Sequence, residues 1–89
     1  MKPNQSPQTL NSAVAIELTA YLSESGITRI ELAEKTGMHE GSVGRLLRGQ
    51  RDIDLRVIEL FAYALNFEPR ELIKRAEHRK QVSLGLDEE

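Results

Sequence analysis

Glycines at positions 26, 37 and 49 cut the first half of this chain into short, closely spaced stretches. Gly37 and Gly49 bracket only residues 38–48, so a helix between them depends on tertiary packing more than on its own propensity. Apolar residues on both sides of these breaks recur at helical spacing, and none of the intervening stretches reads as a strand. The expected fold is therefore all-α, with five helices around one core. The chain has 89 residues, enough for one domain. It contains no cysteine, which excludes disulfides and thiolate metal sites and leaves the core to packing alone.

The first helix is expected from about Ser12 to Ser25, capped by Asn11 or Ser12, with Val14, Leu18, Tyr21 and Leu22 as its buried stripe. Gly26 ends it. Thr28 opens the second, and Glu31 completes a Thr-x-x-Glu capping box. Ile30, Leu32 and Ala33 supply its apolar positions, and Gly37 stops it. The third runs from about Glu40 to Arg48, with Val43, Leu46 and Leu47 inward. His39 stands where a Ser or Thr cap is commoner, so its start reads as weakly capped. Asp54 caps the fourth, Leu55 to Leu65, which is apolar almost all round. Such a helix lies in the middle of a domain or completes its burial against a partner chain. The fifth opens at Pro69 and carries Leu72, Ile73 and Ala76.

These elements divide the chain into a polar, flexible arm (1–9), a helical domain (10–80) and a tail (81–89). The stretch from Val82 to Leu86 alternates apolar and small residues. It reads either as a frayed end or as a short strand or arm that pairs with a second subunit.

Net charge is −2 and the isoelectric point is about 5.7, unlike a uniformly basic nucleic-acid binder. Position matters more than the average. Between Gly41 and Arg51 there are three arginines and no acid, a local +3. A second basic group, Lys74, Arg75, Arg79 and Lys80, is offset by Glu71 and Glu77 and reads as a solvated helix face. Catalysis finds no support. His39 and His78 sit on different elements, Glu31 and Glu34 read as solvent-facing, and no Gly-rich phosphate loop is present. No metal or cofactor is expected. No apolar run approaches a membrane span and the first residues lack a secretory pattern, so the cytoplasm is the expected compartment.

The informative stretch is Thr28 to Gly49: two short helices joined around a glycine, with Ala33 small at their crossing and Met38 and Val43 filling the wedge. This is a helix-turn-helix, whose second helix can enter the DNA major groove. The run ITRIELAEKTGMHEGSVGRLLRGQR (27–51) resembles the phage-repressor and Cro-like helix-turn-helix family. The continuation LRVIELFAYALNFEPRELI (55–73) resembles that family's fourth and fifth helices. The resemblance covers about Leu10 to Ala76. It implies a lambda-repressor-like five-helix domain that binds operator DNA, usually as a homodimer, to control transcription. Three departures bear on the site. Arg29 stands where the family usually has a glutamine that contacts phosphate and buttresses the recognition helix; arginine keeps the first role and offers no obvious buttress. Leu47 replaces a common glutamate, and Ile53 a common proline.

Opposite the apolar side of the third helix lie Gly41, Gly44, Arg45 and Arg48, flanked by Ser42 and Glu40. Arg45 is the expected base reader, offering a bidentate fork to guanine. Ser42 adds a hydroxyl, Glu40 can accept from a cytosine amine, and Gly41 and Gly44 would let the helix backbone approach the groove. Arg29, Arg48, Gln50 and Arg51 are expected on phosphates. Tyr63, Leu84 and Leu86 are the candidate dimer contacts. The expected function is a sequence-specific transcriptional regulator, a phage or mobile-element repressor acting as a homodimer on double-stranded operator DNA. With no room for a ligand-sensing domain, its control would come from concentration, dimerisation or degradation. The alternatives are an antitoxin that holds a toxin through its tail or last helices, and a helix-turn-helix protein-interaction module that does not bind DNA.

Overall fold

The computed structural model describes residues 9–83 and 85, which form five α-helices and no strand. α1 spans Leu10–Ser25, α2 Arg29–Thr36, α3 Glu40–Leu47, α4 Leu55–Leu65 and α5 Pro69–Ser83. The all-α, five-helix expectation holds. The arm up to residue 8, together with Leu84 and Leu86, lies outside the described residues.

The largest fully buried side chains come one from each helix and share one cluster: Leu18 from α1, Leu32 from α2, Val43 from α3, Phe61 from α4 and Leu72 from α5. Burying a side chain of this size stabilises the fold by roughly 1.5–3 kcal/mol. Ala13, Val14, Ala33, Leu46, Ile58, Leu65 and Ala76 complete the core. Small residues at 13, 33 and 76 let the helices approach closely.

Three expectations need correction, and the two readings of α4 are narrowed. α1 begins at Leu10, because Thr9 rather than Asn11 or Ser12 is its cap; the Thr9 hydroxyl accepts the Ser12 N–H at 3.0 Å. Ile30 is 53% exposed, and the inward side of α2 consists of Leu32 and Ala33. α4 buries Ile58, Phe61 and Leu65 but leaves Leu55 and Tyr63 81% and 86% exposed, so within one chain it is covered on one side only. Val82 and Ser83, expected in a frayed or strand-like tail, are the last residues of α5.

α1 and α5, the chain's outer helices, are locked together by polar as well as apolar contacts. The Glu17 carboxylate is buried and accepts a 2.6 Å hydrogen bond from Arg79 Nε, 62 residues away. Arg75 pairs with Glu71 one turn back at 3.4 Å and lies 5.1 Å over the Tyr21 ring. Tyr21 in turn stacks on Phe67, with centroids 4.4 Å apart. The second basic group is therefore not simply a solvated face: its Arg79 is tied to α1. No helix among the described residues is long and apolar enough to cross a membrane.

Candidate nucleic-acid interface

The helix-turn-helix is built from local rules. At the start of α2 the Thr28 hydroxyl accepts the Glu31 N–H at 3.0 Å, and Glu31 Oε1 accepts the Thr28 N–H at 2.8 Å. Both halves of the expected capping box are present. α2 ends at Gly37, with φ 75°; the Met38 N–H reaches back to the Ala33 carbonyl at 3.0 Å. This left-handed stop satisfies the last carbonyls and turns the chain sharply. α3 then starts at Glu40 with no side-chain hydrogen bond from His39, so its first turn lacks a side-chain cap. Val43 and Leu46 are buried, and Met38 and Leu47 pack against the core beside them.

α1 holds the far end of α3 in place. Thr19 Oγ1 hydrogen-bonds the Leu47 carbonyl at 3.3 Å while also bonding its own helix at Ala15. Gly49 takes φ 75° against α1, where a Cβ would lie 3.7 Å from Ala15 Cβ. Asn11 spans the following loop: its Nδ2 donates to the Arg51 carbonyl at 3.0 Å, and its Oδ1 accepts the Ile53 N–H at 2.7 Å. A proline at 53, common in the resembling family, has no N–H for this bond. Asn11 and Thr19 are positioning residues that sequence reasoning missed. Asn11 carried only the signal of a possible cap, because its partners are 40 and 42 residues away.

Over this scaffold Arg29, Glu40, Gly41, Ser42, Gly44, Arg45, Arg48, Gln50 and Arg51 come from one continuous unit of α2, α3 and the loop after it. Arg29, Glu40, Gly41, Arg45, Arg48, Gln50 and Arg51 are exposed. Arg45 Nη1 lies 3.7 Å from where a Cβ on Gly41 would stand, so the guanidinium folds back along that bare position. Arg51 Nη1 donates to Ser42 Oγ at 3.3 Å. Arg29 Nη2 sits 3.5 Å from Glu40 Oε2, so the first residue of α2 meets the first residue of α3. The arginine thus supplies a link between the two helices that was not expected of it.

Gly44 differs from the expectation of a bare approach to the groove. It is buried, and a Cβ there would lie 3.2 Å from Arg48 Nη1 and 3.5 Å from Arg29 Nη1. Two guanidinium groups cover it. Tyr63 is exposed on α4, away from this unit in sequence, and its expected companions Leu84 and Leu86 lie outside the described residues. Among the described residues no three His, Cys, Asp or Glu side chains converge as a metal site.

A family model described as Helix-turn-helix matches residues 19–72, more than half of the chain. The protein belongs to the Cro/C1-type helix-turn-helix family. Family membership makes it a DNA-binding transcriptional regulator in class. Among solved structures it is similar to the restriction-modification controller protein C.AhdI from Aeromonas hydrophila. That likeness is 34% identity over 68% of this chain and 92% of that one, with a TM-score of 0.64. It is also similar to the clp gene regulator ClgR from Corynebacterium glutamicum in two crystal structures. One gives 21% identity over 89% of this chain and 85% of that one, TM-score 0.83. The other gives 23% identity over 79% and 91%, TM-score 0.75. At these identities the ClgR likeness speaks to the fold alone. No curated protein sequence matches the chain significantly.

Proposed function

We propose that this protein is a sequence-specific repressor of phage or mobile-element type that binds a palindromic operator as a homodimer, with α3 in the major groove. The observation that carries this reading is the state of its arginines. Arg45, Arg48 and Arg51 form no ion pair among the described residues, and they stand on the unit that a helix-turn-helix presents to DNA. In this reading Arg45 reads guanine through its fork, with Ser42 and Glu40 beside it and Gly41 allowing close approach. Arg29, Arg48, Gln50 and Arg51 hold phosphates. The 34%-identical neighbour is a controller of restriction-modification, which supports a small regulator. The site of action on this reading is the cytoplasm, and no cofactor or catalytic step is required.

Dimerisation draws on Leu55 and Tyr63, two large exposed side chains separated by about 80° around α4. Sedimentation equilibrium at micromolar concentration would detect it; a strict monomer, unchanged by operator DNA, would overturn it. Selection from randomised duplexes tests the whole reading. Wild type is expected to enrich symmetric half-sites, and Arg45→Ala to relax a guanine position at a cost of about 1–3 kcal/mol. Absence of any enriched motif together with negligible binding at low salt would instead favour the protein-interaction module, and would turn attention to a partner for this same face and for the C-terminal tail.

A further inference from the structure

Four residues of the α2–α3 unit form a cluster with unbalanced charge. Arg29 opens α2, Glu40 opens α3, Gly44 lies in the middle of α3 and Arg48 caps its end. The Arg29 and Arg48 guanidinium groups both lie against Gly44, within 3.5 Å of where a Cβ would be. Glu40, 3.5 Å from Arg29, is the one carboxylate paired with either arginine among the described residues. Both members of that pair are about half exposed. Two cations with one exposed anion constitute a site for a further anion of the same hydrogen-bonding geometry as the carboxylate, which describes a phosphodiester oxygen pair.

We propose that Glu40 stands in for a DNA phosphate: it holds Arg29 in the free protein and is exchanged for a backbone phosphate when the face docks. Gly44 favours the exchange, because it leaves open the space on which both guanidinium groups converge; a Cβ there would press Arg48 Nη1, at 3.2 Å, back by a few tenths of an ångström. The proposal rests on the DNA-binding reading above. Its consequence is discrimination. A displaced Glu40 is left among phosphates, where its charge is unfavourable on any duplex that offers it no donor. Opposite a cytosine the N4 amine supplies that donor. Glu40 therefore weakens binding to DNA in general and spares sequences that receive it, so it raises specificity at the expense of affinity.

The test uses the whole chain, a duplex of scrambled sequence and a duplex from the randomised selection, at low salt. Glu40→Gln keeps shape and removes charge. It is expected to bind the scrambled duplex about 1.5- to fivefold more tightly, the range for an exposed pair, and the selected duplex no more tightly than wild type does. In an Arg29→Gln background the same change should gain less than in wild type, because only the repulsion from phosphates remains and no pair is left to be broken. Gly44→Ala serves as a second variant; it is expected to raise Tm through helix propensity and to weaken both duplexes together. An unchanged affinity for the scrambled duplex in Glu40→Gln overturns the exchange. An equal gain with and without Arg29 does so as well, since Glu40 would then act only as a distant charge. If wild type binds neither duplex, the DNA-binding reading itself fails, and the exchange with it.

Discussion

Two groups of basic residues share this chain, and they behave differently. On α5, Arg79 is spent on a buried carboxylate 2.6 Å away, and Arg75 is held by Glu71 and the Tyr21 ring. On the α2–α3 unit only Arg29 has a charged partner, at 3.5 Å and half exposed, while Arg45, Arg48 and Arg51 have none among the described residues. Counting charges would not separate the groups. What separates them is whether a guanidinium is already committed to holding the fold. The first group joins the outer helices; the second is available to an external anion.

Removing committed arginines should cost stability and spare binding, so the largest expected effect is at Arg79. Arg79→Ala leaves Glu17 buried without its partner and should lower stability by about 2 kcal/mol, less than for a fully buried pair because Arg79 is 43% exposed. Urea unfolding gives the value, and the DNA affinity of the folded fraction should not change. Loss of binding with no loss of stability would merge the two groups.

Asn11→Ala sharpens the comparison from the other side. It removes two hydrogen bonds to the loop that carries Arg51 and should cost about 1–2 kcal/mol, with a further loss of DNA affinity per folded molecule. A variant that loses stability but binds as wild type would show that this bracing does not position the site.

The smallest effect is at Tyr21. Its hydroxyl is buried with no hydrogen-bond partner among the described residues, and burial pushes the phenol above its ordinary value, partly opposed by Arg75. The folded chain thus holds this proton more tightly than the unfolded one. The associated stability is fully present below the unfolded value near pH 10 and is lost as pH rises through the folded one. Tyr21→Phe should leave neutral-pH stability unchanged or raise it by up to about 1 kcal/mol, and should flatten the decline in Tm above about pH 10. A steep decline that persists in the variant would place its origin elsewhere.

What was legible in the sequence was what depends on near neighbours. The Thr28–Glu31 capping box, the Gly37 turn and the Val43–Leu46 inward side are set by partners within a turn or so, and the helix-turn-helix follows from them. Phase was less legible in short helices. In the eight residues of α2, Leu32 and Ala33 satisfy the core, and Ile30 falls outside although its spacing also fits. Long-range polar partners were not legible at all. Nothing local says that Asn11 braces residues 51 and 53, that Glu17 waits for Arg79, or that Gly44 lies under Arg29. A glycine on a helix face looks the same whether DNA or a neighbouring side chain fills the space. Which residues would touch DNA was inferred in advance from helix geometry and the family resemblance; how the arginines are distributed between structure and ligand was not.

The most direct test of that distribution is the salt dependence of binding to one duplex. Wild type would be compared with Arg48→Gln/Arg51→Gln and, on the folded fraction, with Arg75→Gln/Arg79→Gln, two pairs of equal charge, the first without an ion pair among the described residues and the second committed to the fold. If the α2–α3 arginines hold phosphates, the first pair should reduce the slope of log affinity against log salt by about two and the second should leave it unchanged. A slope reduced by the α5 pair and untouched by the α2–α3 pair would contradict the account.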